Sequence, residues 1–173
     1  YFLGLLSTDG SLEEDRDRIE LKIHSNDISL LKKLGRALGK ESVQMRGNNS
    51  RFRMQNKHMV DSLKKLGFKK MKPDRTCHDH VPSQYKWVFA RGVFDADGSV
   101  LKDRIQVDSG NKKLLKWLKN LFGEAAKLYD YDSYAKIVVL EPDAKGVLSK
   151  LYAGGGPGLR RKASIKNSEI TYE

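Results

Sequence analysis

Two aspartates occupy matching places in this chain. Asp9 closes FLGLLSTDGS, Phe2 to Ser11, and Asp97 closes ARGVFDADGS, Ala90 to Ser99; glycine and serine follow each. In both runs two small residues stand four apart, Gly4 with Thr8 and Gly92 with Ala96, which puts them on one face of a helix. Such a face lets two helix backbones approach closely, while the large neighbours (Phe2, Leu3, Leu5, Leu6; Val88, Phe89, Val93, Phe94) bury the flanks. Gly10 and Gly98 are the residue type that stops a helix in the left-handed conformation, so both aspartates are expected at helix C-termini. A helix C-terminus already carries about half a negative charge. Two of them side by side gather carboxylates and carbonyl oxygens in one volume, and a divalent cation relieves the repulsion. Oxygen donors of this kind suit Mg²⁺ or Ca²⁺ rather than zinc.

The rest of the chain must position that pair. Its 173 residues suffice for one good core or two small ones sharing an interface. Lys and Arg number 33 against 22 Asp and Glu, a net charge of +11, which implies a polyanionic partner or a membrane surface. No run approaches the roughly 18 apolar residues of a membrane span, so the polyanion is the better reading. A single cysteine, Cys77, leaves no internal disulfide and fits a reducing, intracellular setting. The chain opens at Tyr1 within a helical pattern and without methionine, so natural sequence is expected before it.

After Gly10, Ile19, Leu21 and Ile23 alternate with Arg18, Glu20, Lys22 and His24, a hairpin whose turn is the acidic stretch Glu13 to Asp17. From Ser25 the period lengthens. NDISLLKKLGRALG offers Asn26 or Asp27 as a cap, Leu30, Leu31, Leu34 and Leu38 as a stripe and Gly39 as a stop. ESVQMRG and SRFRMQN then read as strands about Gly47, Asn48 and Asn49, and KHMVDSLKKLG as a helix ending at Gly67. Phe68 to Gln84 has no period and contains Pro73 and Pro82; it reads as the linker (68–84) between a first half, 1–67, and a second, 85–173.

The second half repeats the order. SVLKDRIQVDS is a strand pair, and SGNKKLLKWLKNLFG parallels SNDISLLKKLGRALG position for position. From Asp9 to Ser25 is 16 positions and from Asp97 to Ser109 is 12, so the first hairpin is expected to be four residues longer. AKLYDYDSYAKIVVLE gives two more strands with Ile137 and Val139 inward, and a helix begins at Pro142. The expected class is α+β, αββαββα twice, each half an antiparallel sheet with one packed and one solvated face. Lys22, Gln44, Arg46, Arg51, Arg53, Gln55, Arg104, Gln106, Lys127 and Lys136 fall on the solvated faces. Arg and Gln there permit base reading as well as phosphate contact.

On these residues the chain resembles the LAGLIDADG homing endonucleases, in the single-chain form with two motifs. ARGVFDADG carries the motif's glycine and its closing Asp-Ala-Asp-Gly; FLGLLSTDG keeps Gly4, Asp9 and Gly10, with Ser7 and Thr8 in place of Asp-Ala. The resemblance implies a monomer with internal pseudo-two-fold symmetry, its motif helices paired at the centre (Gly4, Thr8, Gly92, Ala96) and its saddle-like sheets on double-stranded DNA. It implies Asp9 and Asp97 as catalytic metal ligands, with the backbone carbonyls of Thr8 and Ala96. Mg²⁺ is the implied cofactor, with Ca²⁺ binding without supporting efficient cleavage. A catalytic basic residue that stabilises charge on the phosphate is also implied after the second strand pair of each half: Lys162 in LRRK, and Arg75 for the first half with Lys72 as the alternative. The implied activity is intron homing by hydrolysis of one phosphodiester on each strand of a long, asymmetric target.

Other readings are a maturase or transcription regulator of the same fold without cleavage, or the endonuclease domain of an intein. TCHDH (Thr76 to His80) hints at zinc but lacks a second ligand cluster, so it reads as linker. His24 and His58 read as surface residues, Trp87 and Trp117 as core anchors.

Overall fold

Both periodicities are realised in a computed structural model that describes residues 1–39 and 43–163. In the first half α1 (Phe2–Asp9) runs straight into β1 (Gly10–Glu13) and β2 (Arg18–His24), followed by α2 (Ile28–Ala37), β3 (Val43–Arg46), β4 (Asn49–Gln55) and α3 (Lys57–Lys65). The second half repeats this as α4 (Lys86–Asp97), β5 (Gly98–Val100), β6 (Arg104–Ser109), α5 (Lys112–Phe122), β7 (Ala126–Asp130), β8 (Ala135–Leu140) and α6 (Asp143–Tyr152). Two four-stranded antiparallel sheets result, ordered β1-β2-β4-β3 and β5-β6-β8-β7 and backed by helices. Among the described residues no helix is long and apolar enough to cross a membrane.

Each half has its own core. Leu5, Leu6, Ile19, Leu21, Leu31 and Phe52 lead the first, and Phe89, Val93, Ile105, Leu115, Ile137 and Val139 the second. Alternation along the strands supplies the inward side chains, and the leucine stripes of α2 and α5 cover them. Asn56 and Asn111 cap α3 and α5, accepting from the Met59 and Leu114 amides at 2.9 and 3.0 Å. At α2, where Asn26 or Asp27 was expected as the cap, Asp27 is the cap residue but its side chain makes no cap hydrogen bond.

The four extra residues of the first half are not all in its hairpin. Gly10 pairs with Leu21 and Gly98 with Val107, which accounts for two. The other two lie between β2 and α2. The sheets and the following helices are therefore matched by different offsets.

The halves meet along α1 and α4, and glycine sets how closely. A Cβ on Gly4 would fall on the Phe89 carbonyl oxygen and lie 3.1 Å from the Gly92 Cα; one on Gly92 would fall on the Tyr1 carbonyl oxygen. Thr8 is buried and turns its hydroxyl to the Leu5 carbonyl, 3.0 Å, while Ala96 packs against the first-half core from the second half's helix. Gly10 and Gly98 differ from expectation: both are extended (φ −79°, ψ 153°; φ −80°, ψ 152°), not left-handed. Glycine is needed there for space, since a Cβ would collide with the Leu6 or Phe94 carbonyl as the chain turns from helix into strand.

The segment between the halves forms single helical turns at Lys72–Asp74, Cys77–His80 and Ser83–Tyr85. It is packed rather than loose: Phe68 and Cys77 join the first core, Val81 the second, and His78 lies edge-on to Trp117. Leu159, from the second half, reaches back into the first core.

Gly4→Ala or Gly92→Ala is expected to cost about 2–3 kcal/mol in urea unfolding, because backbone cannot yield as a side chain does. Gly146→Ala, in open space within α6, is expected to stabilise by about 1 kcal/mol. A seam variant as stable as the parent would show that the two backbones are not held in contact.

Candidate active site

Asp9 and Asp97 end α1 and α4 side by side at the seam. Burial raises the Asp9 carboxyl above its ordinary value, against the pull of the Lys72 and Lys162 charges. Asp97 is pushed up to about 6, first by burial and then by the charge of Asp9, with Lys72 and Lys162 opposing and Asp108 adding to the rise. The two carboxylates are thus close enough to repel, and no hydrogen bond from protein relieves them among the described residues.

Beneath each carboxylate a buried cation holds the helix end. Arg75, 1 % exposed, donates from Nη1 to the Leu6 and Ser7 carbonyls at 2.8 and 3.0 Å, from Nη2 to Gly10 at 3.0 Å and from Nε to Lys69 at 2.9 Å. Its guanidinium lies 4.0 Å over the Phe68 ring. Lys162 Nζ donates to the carbonyls of Phe94, Asp95 and Gly98 at 3.2, 2.7 and 2.6 Å. These are the same three places in the repeat. A helix leaves its last carbonyls unpaired and negative, so both cations satisfy and neutralise them. Burial lowers Arg75 to about 10 and also lowers Lys162. Arg75 stays charged at neutral pH. Both were expected to face a phosphate; both instead face backbone. Thr8 and Ala96, whose carbonyls were expected as ligands, immediately precede the closing aspartates of α1 and α4.

Each cation is braced by the opposite half. Asn111, at the start of α5, donates to the Lys72 and Arg75 carbonyls at 3.1 and 2.8 Å while its oxygen caps α5. Asp27, at the matching start of α2, accepts from Arg161 Nε and Nη2 at 3.1 and 2.7 Å, next to Lys162. This is why Asp27 does not cap its own helix. Lys72 is exposed, its charge felt by both Asp9 and Asp97. Of the two candidates for the first half, Arg75 is committed to backbone carbonyls and Lys72 makes no such bond among the described residues.

Sequence reasoning passed over Asp95 and Glu20. Asp95, 3 % exposed, accepts from the hydroxyls of Tyr1 (2.7 Å) and Tyr152 and from the Leu159 amide (2.9 Å), tying α1, α4, α6 and the segment leading to Lys162 together. Glu20, 4 % exposed, lies beneath Arg53, Lys22 (3.1 Å) and Arg51 (4.0 Å). Burial raises its carboxyl, but hydrogen bonds from Arg53 and Lys22 outweigh this and hold it low. The motif position of Asp95 signalled importance, whereas two of the partners of Glu20, Arg51 and Arg53, come from β4 and carry no local signal.

The sheets place most of the remaining candidates outward. Lys22, Gln44, Gln55 and Lys127 are exposed; Arg51, Arg53, Arg104, Gln106 and Lys136 are half-buried. Lys136 pairs with Asp108 at 3.2 Å, and Gln106 donates to the same carboxylate at 3.2 Å. Arg46 lies on β3, and its side chain is outside the described residues.

As a cation site the centre offers two crowded carboxylates and helix-end carbonyls, a hard oxygen set. No group of three or more Asp, Glu, His or Cys stands together among the described residues. Further ligands would therefore come from water or substrate oxygens, the usual arrangement for Mg²⁺.

No protein-family model matches the chain, and no curated protein matches it by sequence. Solved structures do match. The LAGLIDADG meganuclease I-CpaMI bound to uncleaved DNA aligns over 93% of this chain and 86% of its own, with TM-score 0.65 and 11% identity. Variants of the homing endonuclease I-DmoI align over 94% and 93%, with TM-score 0.60 and 17% identity. I-SmaMI, bound to an uncleaved DNA target in the presence of calcium ions, aligns over 88% and 80%, with TM-score 0.54 and 12% identity. The structural neighbours are LAGLIDADG homing endonucleases, and this chain has their two-half fold.

Without metal, the folded chain holds a proton on the aspartate pair that the unfolded chain has released, between about pH 4 and about pH 6. Stability attributable to the pair is therefore full below about pH 4 and lost as pH rises through about 6. The melting temperature of the metal-free parent, relative to Asp97→Asn, is expected to fall across that window. Divalent cation at pH 7 should restore it in the parent alone. A pH-independent difference between the two proteins would refute the crowded pair.

Proposed function

We propose that this chain is a site-specific endonuclease that cuts double-stranded DNA at one phosphodiester on each strand, with Mg²⁺ held by Asp9 and Asp97. The observation that carries the reading is the pairing of two crowded carboxylates on cation-braced helix ends, midway between two outward basic sheet faces. Fold likeness to nucleases crystallised on DNA supports it.

Divalent cations bound there would supply activation of water and stabilisation of charge on the leaving oxygen. The chain's own residues do the rest. Arg75 and Lys162 fix the helix ends and neutralise the Leu6, Ser7, Phe94 and Asp95 carbonyls, leaving the carboxylates as the negative groups that face a cation. They are positioning residues. Lys72, exposed and beside both carboxylates, is the group we assign to the phosphate. The sheets grip the duplex on both sides of the centre with Lys22, Arg51, Arg53, Arg104, Lys127 and Lys136. A single chain with one carboxylate in each half treats each strand separately and suits an asymmetric target. Ca²⁺, larger and laxer in geometry than Mg²⁺, is assigned the role of binding without efficient cutting.

Selection of cut molecules from a randomised duplex library tests the reading. The parent with Mg²⁺ is expected to return one long cut sequence; Asp97→Asn should lose cutting by about 100-fold or more, and Ca²⁺ should sustain binding without cut ends. Lys72→Met should slow cutting about 10-fold or more while binding in Ca²⁺ changes less. Enrichment by binding alone, the same for parent and Asp97→Asn, would replace the nuclease reading with a DNA-binding maturase or regulator.

A further inference from the structure

The strand registers allow the two sheets to be compared place by place. Gly10 pairs with Leu21 and Gly98 with Val107, so Leu21 matches Val107. Across the next ladder Leu21 pairs with Phe52 and Val107 with Ile137. On the outward faces, then, Glu20 matches Gln106, and its neighbour Arg53 matches Val138. Two residues further along, Gln55 matches Leu140; on the outer strand Gln44 matches Tyr129.

The two faces therefore differ in chemistry. On the first, Lys22, Arg51 and Arg53 fan over the one buried carboxylate of Glu20, leaving two positive charges in excess. On the second the matching cation is paired one to one, Lys136 with Asp108, and the places of Arg53, Gln55 and Gln44 hold valine, leucine and tyrosine. Leu140 is 45 % exposed and Tyr129 44 %, and Tyr131 stacks on Tyr134 at the hairpin tip, ring centroids 4.6 Å apart. Half-buried Val138 and exposed Leu140 stand at alternate places of β8 on the outward face, with Tyr129 opposite Lys136 on the neighbouring strand.

We infer that the second sheet reads its half-site through thymine methyl groups, contacted by Val138 and Leu140, whereas the first reads through charge. The inference rests on the endonuclease reading. Three observations favour duplex DNA as the occupant. The row shares its sheet face with the exposed Lys127 and with two cations in ion pairs, Arg104 with Asp103 at 3.6 Å and Lys136 with Asp108, so positive charge borders it. It is continuous with the centre, since Gln106 pairs with Ser99 of β5, two residues from Asp97. And its chemistry suits the groove: a β-ribbon enters the major groove, where the methyl group marks thymine for apolar side chains. Alternate residues of a strand stand about 6.7 Å apart, close to two base-pair steps of about 3.4 Å each. Val138 and Leu140 thus address thymines about two base pairs apart.

Deoxyuridine, which lacks only the methyl group, separates the possibilities. With the selected duplex and Ca²⁺, single replacements of thymine by deoxyuridine in the second half-site are expected to weaken binding about 4-fold at two positions two base pairs apart. In the first half-site the change should stay under about 2-fold. Val138→Ala and Leu140→Ala should each abolish sensitivity at one position while leaving the salt dependence unaltered, whereas Arg53→Ala should reduce the slope by about one. Both alanine variants are changed at outward positions, and their melting temperatures serve as control for folding. Equal deoxyuridine effects in both half-sites, or effects that persist in Val138→Ala and Leu140→Ala, would overturn the inference and leave the nuclease standing. A triple alanine variant at Tyr129, Val138 and Leu140 that changed self-association, not methyl sensitivity, would reassign the face to protein contact. Failure to bind any duplex would remove both readings.

Discussion

The approach of α1 to α4 at Gly4 and Gly92 is the constraint on which the molecule depends. Here each backbone fills the space a side chain would take, so the helices run at a spacing that no larger residue permits. From that contact follow the adjacency of Asp9 and Asp97, their mutual repulsion and the exit of both sheets from one point. Aspartates on helix ends a few ångströms further apart would lie in more water and repel less.

Crowding negative groups this way is unfavourable, and the chain offsets it from behind rather than in front. Arg75 has five donors and uses four on carbonyls; Lys162 has three and uses three. A cation placed in front would form a salt bridge to the aspartates and occupy the position a metal needs. Placed behind, it stabilises the helix ends and leaves the carboxylates unpaired and raised in pKa. The arrangement appears in both halves with different residue types, which shows that charge and reach matter more than the identity of the group.

Much of this was legible in the chain, for physical reasons. Helix and strand periods report on local burial, so the αββαββα order, the inward residues and the small-residue seam could be read directly. Arg75 follows Asp9, and Lys162 follows Asp97, at almost the same interval, so their equivalence was legible while their direction was not. Direction depends on which side of a helix end a distant segment packs. Gly10 and Gly98 illustrate a different limit: glycine marked the place correctly, but a clash with the preceding turn demanded it, not a left-handed angle. Glu20 and Asp27 took partners from elements far along the chain, which no local pattern encodes. The helix alignment Ser25 with Ser109 also misleads for the sheets, because two of the additional residues fall after β2.

The braces explain why the halves act as one centre rather than two. Asn111 of the second half holds the segment bearing Lys72 and Arg75, and Asp27 of the first holds the segment bearing Lys162. Each half thus supports the cation that serves the helix end of the other half. Leu159 and Val81, each buried in the core of one half beside these segments, reinforce the coupling with apolar contact. The outward faces are outside this bracing, and the two sheets differ there in chemistry. There the strand scaffold tolerates arginine, valine, leucine or tyrosine at matched places, because those side chains contribute nothing to either core. A fold whose centre is cross-braced and whose faces are free can change the chemistry of those faces without disturbing its centre.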